Sequence, residues 1–210
     1  MPTRTEQVYS EMQLAYDVFN RDLFGGQLPP CLISMQPKAR TYGYVSGPRW
    51  NGSNDEMTAA IILNPAHCAE RPVQEVLSTL VHEMTHLWQH HFGKPSRVGY
   101  HNREWADKMT EIGLCPSDTG EAGGKRTGQR MSHYVIAGGA FAQASADLLA
   151  QGVAASWRDW AMASRRNGPE PKKHASRCKY TCILCGLNVW AKPNISLYCG
   201  GCELELLASG

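Results

Sequence analysis

The sequence carries no decisive excess of either charge. Lys and Arg number 21 against 19 Asp and Glu, so no whole-protein field favours a polyanionic partner, and any nucleic-acid argument must rest on local charge. A long apolar run is missing as well. The opening MPTRTEQVYS has no hydrophobic stretch of the kind a secretory signal needs, so the expectation is no export signal and a mature chain beginning near Met1. The least polar segment, His133 to Ser156, is broken by Gln143, Asp147, Gln151 and three glycines, which suits no membrane span. A cytoplasmic protein follows, without a membrane partner and of open oligomeric state. No internal repeat is present.

Cysteine is sparse before residue 178. Cys31, Cys68 and Cys115 are scattered and read as small buried hydrophobes, whereas Cys178, Cys182, Cys185, Cys199 and Cys202 crowd into the last 33 residues of the 210. Clustered pairs in a chain that is not exported point to a metal rather than to disulfides. Length and 42% hydrophobic content suffice for one full core plus a small appendage. The expected division is a catalytic domain over 1–165, a basic linker over 166–177 and a metal mini-domain over 178–210.

Apolar positions at Val8, Tyr9, Met12, Ala15, Tyr16, Phe19 and Leu23 make one helical stripe, stopped by Gly25 and Gly26. Short segments at Cys31–Gln36, Thr41–Val45 and Thr58–Leu63 read as a small sheet. A second helix runs from Pro72 to Phe92 with a wide apolar face, ended by Gly93. A third starts on Asn102 as N-cap and closes at Gly113. Residues Cys115 to Gly128 read as loop, and Phe141 to Met162 as one or two helices.

The second helix carries His82-Glu83-Met84-Thr85-His86. Residues four apart on a helix lie one above the other, so both imidazoles can reach one ion, with Glu83 beside it. Zinc on three protein ligands keeps a position for water, lowers the pKa of that water to about 7 and polarises a carbonyl. Glu83 is then the general acid/base that moves the proton to the leaving amine. For the third ligand the candidates are His67, His90, His91, His101, His133 and His174. His90 would lie about 12 Å from His82 along the same straight helix, too far for one ion. His101 follows the helix-ending Gly93, where the chain can turn back, and is favoured.

These residues, with Gly99-Tyr100-His101-Asn102-Arg103-Glu104-Trp105, Phe19 to Pro29 and Tyr42-Gly43-Tyr44, resemble the SprT-like family of zinc metallopeptidases, in its Spartan-related bacterial and mobile-element branch. The resemblance implies an α+β, zincin-like catalytic domain with a C-terminal zinc ribbon. It implies His82, His86 and His101 as zinc ligands, Glu83 as catalytic acid/base, and proteins crosslinked to DNA as substrates. Around the site, Glu104 is either an acceptor that orients His101 or an exposed first-turn acid. His133 or Tyr134 is a candidate oxyanion donor, with a purely structural Tyr the plainer reading. Trp88 and Trp105 sit at core spacing.

In the tail, Cys182-x-x-Cys185 and Cys199-x-x-Cys202 have the spacing of a four-thiolate zinc ribbon, giving one catalytic and one structural zinc. Cys178 stays outside that set, and Gly186 supports the register. The basic run Arg165, Arg166, Lys172, Lys173, Arg177 and Lys179, with Trp190 to stack on bases, suggests contact with DNA, single-stranded or crosslinked to protein. Two rivals remain open: a nucleic-acid-binding zinc protein whose first metal site is not catalytic, and an amidohydrolase of small substrates. A polypeptide substrate would need an open groove, which the sheet edge near Thr58 to Leu63 could supply. Imidazole sites also accept manganese.

Overall fold

The computed structural model describes residues 2–51, 57–68, 71–153 and 177–209. The chain divides into two compact units, Met1–Arg165 and Arg166–Gly210. Helix and sheet are mixed, with four α-helices among the described residues, and none of them is long and apolar enough to cross a membrane.

In the first unit, helix α1 (Arg4–Phe24) begins with a reciprocal cap. The Thr3 hydroxyl accepts from the Glu6 amide and the Glu6 carboxylate accepts from the Thr3 amide. Its apolar stripe, from Met12 through Phe19 to Leu23, is buried in the core. At its far end the Asn20 side chain exchanges two 3.0 Å hydrogen bonds with the backbone of Leu28, folding the chain into strand β1 (Leu32–Met35).

Strands β2 (Gly43–Asn51) and β3 (Met57–Leu63) complete a sheet of order β1-β3-β2, with β1 parallel and β2 antiparallel to β3. This corrects one expectation. Residues Thr58–Leu63 form the central strand, hydrogen-bonded on both sides, because their apolar run is buried from Ala59 onwards. Both β1 and β2 are paired on one side only among the described residues, and of the two it is β2 that borders the cleft described below.

A short 3₁₀ turn (Pro65–His67) leads to α2 (Val73–Phe92), with Pro72 at its N-cap. This helix is buried over most of its circumference, and its apolar residues pack beneath the sheet and against α1. Helix α3 (Arg103–Glu111) starts where the sequence indicates: the Asn102 side chain accepts from the Trp105 amide at 3.1 Å. It ends two residues before Gly113.

The stretch expected to be loop after α3 contains strand β4 (Leu114–Ser117), which pairs antiparallel with β5 (Ser132–Val135). Helix α4 (Ala140–Ala150) then covers α1, with Phe141 against Phe19 at 5.6 Å between ring centroids. The continuation towards Met162 lies outside the described residues from 154 onwards, as does the basic linker up to 176.

The second unit holds a sheet of β6 (Cys178–Thr181), β7 (Asn188–Ala191) and β10 (Leu207–Ser209) in the order β10-β6-β7. Strands β8 (Tyr198–Cys199) and β9 (Leu204–Glu205) form a separate pair. Its core is very small: Tyr180, Cys182, Cys199 and Leu206 are the buried members.

Candidate metal centre and its cleft

Helix α2 presents His82 and His86 on one face, and the start of α3 brings His101 to them. The Nε2 atoms of His86 and His101 lie 3.1 Å apart, and those of His101 and His82 lie 3.3 Å apart. Ligand atoms of all three are within 4.8 Å of one another. A tetrahedral zinc ion at about 2.0–2.1 Å from each nitrogen separates its ligands by about 3.3–3.4 Å, so these residues fit such an ion. The Nδ1–H of His101 donates to the Gly128 carbonyl at 3.2 Å, and a carbonyl can only accept. The proton of a neutral His101 is thereby placed on Nδ1, and Nε2 keeps its lone pair for the cluster.

Several contacts hold α3 in place. Gln89, at the end of α2, donates to both Asn102 and Glu104, at 2.8 and 2.7 Å, and the Asn102 amide donates to the Lys94 carbonyl. The Glu104 carboxylate also accepts from the Lys94 amide at 2.7 Å. Glu104 therefore clamps the α2–α3 turn and does not orient His101; Gly128 does that. Gly93 leaves room for this clamp, because a Cβ at that position would lie 2.6 Å from a Glu104 oxygen and push the carboxylate aside.

Beneath the cluster lies Trp105, fully buried, with ring centroids 4.8, 5.3 and 4.4 Å from those of His82, His86 and His101. Its indole N–H has no hydrogen-bond partner among the described residues, a cost of about 1–3 kcal/mol that packing against three imidazoles must offset. The core reading of Trp105 holds, and what it packs against is the histidine cluster itself.

Glu83 points towards β2. A Cβ on Gly43 would approach its Oε1 to 3.1 Å, so the glycine leaves the room that the carboxyl occupies. Burial pushes the Glu83 carboxyl up to about 8, opposed weakly by Lys38. No described residue hydrogen-bonds to it, which leaves it available to a group in the cleft. That cleft has a volume of about 760 Å³ and runs past His82, Glu83, His86 and His101 between β2 and the segment before β5.

His133 lines the cleft as well, whereas Tyr134, its neighbour on β5, faces the other way and stands opposite Cys115 across the hairpin. Neither is placed as an oxyanion donor. Both ring nitrogens of His133 are engaged, one with His82 at 3.2 Å and one with the Ser78 hydroxyl at 2.8 Å. Of the other third-ligand candidates, His67 sits in the 3₁₀ turn against Tyr42, His90 and His91 are exposed at the end of α2, and His174 lies outside the described residues.

Burial lowers the pKa of His82, of His86 to about 3, of His101, and of His133 to about 4. The folded state thus resists protons that the unfolded chain takes up near the ordinary value of 6.5. The histidines' share of the metal-free protein's stability should therefore be complete above that pH and be lost steadily as pH falls towards 3. Thermal melts of chelator-treated protein between pH 7.5 and 4.5 check this.

In the second unit, Cys182, Cys185, Cys199 and Cys202 bring their sulfur atoms within 4.8 Å of one another, with Cys185 and Cys199 3.7 Å apart. Four thiolates at about 2.3 Å from a zinc ion would be about 3.8 Å apart. Backbone amides of Cys185 and Leu184 lower the Cys182 thiol to about 7, favouring the thiolate. Gly186 adopts φ 73° as it closes this turn, and its amide donates to the Cys182 carbonyl at 2.9 Å. Cys178 lies outside the cluster, its thiol directed at the Ala191 carbonyl. The scattered Cys31 and Cys68 are pushed up to about 11 by burial, as inert thiols are.

Comparison with known proteins gives this geometry a family. The sequence profile of the SprT-like family matches residues 12–123, which include the three histidines and Glu83. The chain belongs to the SprT-like family. This SprT-like chain is also 50% identical over 54 residues to an uncharacterised protein in the mucB 3′ region of Salmonella typhimurium, an alignment covering 26% of this chain and 73% of that protein. Family membership is consistent with a metallopeptidase-type hydrolase. Gly128, Ser132 and His133 fall beyond the matched stretch.

Of the candidate nucleic-acid contacts, Arg165, Arg166, Lys172 and Lys173 lie outside the described residues. Arg177 is exposed, and Lys179 stands directly opposite Trp190 across β6 and β7, whose indole is 61% exposed. Sequence reasoning passed over Ser78 and Gly128. Neither has a local signal, since each matters only through a partner at least 27 residues away.

Proposed function

We propose that this SprT-like chain is a zinc-dependent peptidase, with a zincin-like arrangement of α2 against the sheet. The observation that carries the reading is the convergence of three imidazole nitrogens within 3.3 Å steps beside a buried carboxyl with no hydrogen-bond partner among the described residues, in a cleft edged by a strand. Zinc held by His82, His86 and His101 would supply Lewis acidity and an acidified water. The chain's own part follows from its geometry. The free edge of β2 near Gly43 to Val45 offers backbone groups to an extended polypeptide. Glu83 accepts the proton of the attacking water and returns it to the departing amine.

Three protein ligands rather than four among the described residues, opening on a cleft, support a catalytic site over a closed structural one. The tail supports a nucleic-acid contact in which Lys179 meets a phosphate and Trp190 stacks on a base. DNA-associated or DNA-crosslinked proteins are then the substrates, and a nucleoid-associated location follows.

The test measures metal content and cleavage of a DNA-binding protein, with and without single-stranded DNA. His101→Ala should lose one of two zinc equivalents and all cleavage. Trp190→Ala should weaken single-stranded DNA by about 1–3 kcal/mol and cut the stimulation by DNA. Full zinc content in His101→Ala would sink the site as drawn, and cleavage indifferent to DNA would sink the substrate assignment.

A further inference from the structure

A chain of hydrogen bonds leaves the metal centre on the side away from the cluster's middle. From His82 Nδ1 it runs 3.2 Å to His133 Nδ1, from His133 Nε2 2.8 Å to Ser78 Oγ, and from Ser78 Oγ 2.8 Å to the Glu75 carbonyl. Its direction can be read from the far end. A carbonyl only accepts, so the single proton of the Ser78 hydroxyl goes to Glu75. The Ser78 oxygen is then the acceptor for His133, whose proton is on Nε2. A neutral imidazole has one such proton, so His133 Nδ1 is bare and accepts from His82. The proton of His82 is fixed on Nδ1, and its Nε2 lone pair faces His101 Nε2 at 3.3 Å. The reverse polarity would put the His82 proton on Nε2, aimed at the place a metal must occupy.

We propose that His133 is a positioning residue that, anchored by Ser78, sets the tautomer of His82 and thereby readies it as a metal ligand. It does for His82 what the Gly128 carbonyl does for His101, and both come from the segment that ends in β5. His133 reaches both Ser78 and His82 because Ser78, nearly fully buried, is one helical turn before His82 on α2. Second partners of this kind tune metal affinity by about 10- to 100-fold. The proposal rests on the metal reading above, so its test includes a measurement that does not need the metal.

Nitrogen-15 histidine spectra of metal-free protein, assigned by single substitution, should show His82 protonated at Nδ1 and bare at Nε2. His133→Ala should turn His82 into a mixture of tautomers and weaken zinc at this site by 10- to 100-fold, measured by chelator competition after the four cysteines are loaded. His133→Gln, whose amide oxygen can accept from His82 while its nitrogen donates to Ser78, should restore most of the affinity. Ser78→Ala should give a weaker form of the same change in tautomer, and serves if His133→Ala does not fold. His82 protonated at Nε2 in the wild type overturns the proposal, as does a His133→Ala protein with unchanged spectrum and affinity. If wild type takes up no zinc at the histidines, the metal reading fails, and the tautomer spectrum still decides the direction of the chain of bonds.

Discussion

On the peptidase reading proposed above, Glu83→Gln should lower protein cleavage by about two to four orders of magnitude while the zinc content of the protein stays at the wild-type level. The amide fits the space beside Gly43 that the carboxyl fills, but it cannot take a proton from water. The same substitution separates catalysis from folding. In metal-free wild type, burial holds the carboxyl protonated up to about 8 against an ordinary 4.5. Glu83's share of the folded state's stability is therefore greatest below 4.5 and is lost as pH rises through 8. Glu83→Gln has no such loss. Its melting temperature relative to wild type should climb across that interval in chelator-treated samples. Loss of zinc in Glu83→Gln would mean that the carboxyl is a ligand, and cleavage within tenfold of wild type would remove it from the mechanism.

The second large effect concerns the cysteine cluster. Two of the four buried residues in that unit, Cys182 and Cys199, belong to the cluster themselves, which leaves Tyr180 and Leu206 as its apolar core. So little buried surface cannot hold five short strands, whereas a structural zinc contributes an apparent 10–16 kcal/mol, roughly, in small domains. Cys199→Ser should therefore unfold residues 177–209 and leave the helices of the first unit intact. Amide exchange reads this directly: Tyr180 and Leu206 lose all protection while Leu80 and Trp105 keep theirs. Retained protection at Tyr180 would show that the unit folds without metal.

Much of this was open to sequence reading where a local signal existed. The stripe on α1, the Asn102 cap and the helical spacing of His82 and His86 are short-range patterns, and each stands in the structure as the spacing indicates. His101 could be placed because Gly93 ends α2 and the chain must turn. The β4–β5 hairpin could not. Its strands have four residues each, β4 contains Pro116, and 14 residues, four of them glycine, separate the two. Period-two alternation does not stand out over so short a span. Glu104 could not be assigned from the sequence for a related reason. Its position three residues after His101 suggests a partner, but Gln89 and the Lys94 amide are nearer across the turn. The central place of β3 also escaped, because an apolar run does not say which strand lies between the other two.

The pairing of His101 with Gly128 has a kinetic side. The two residues exchange both backbone hydrogen bonds, at 2.8 and 3.1 Å, and the histidine ring adds a third contact to the same carbonyl. A loop spanning 27 positions must close before that ring is held, and the same closure brings His133 to His82. Local helices form in microseconds or less, whereas joining distant segments costs chain entropy that only later contacts return. The histidine face of α2 therefore exists early in folding, and a site able to hold its ion exists only after the last hairpin has docked. If the site is that of a peptidase, as proposed above, a chain assembled in this order is inactive while it is still unfolded and open to attack.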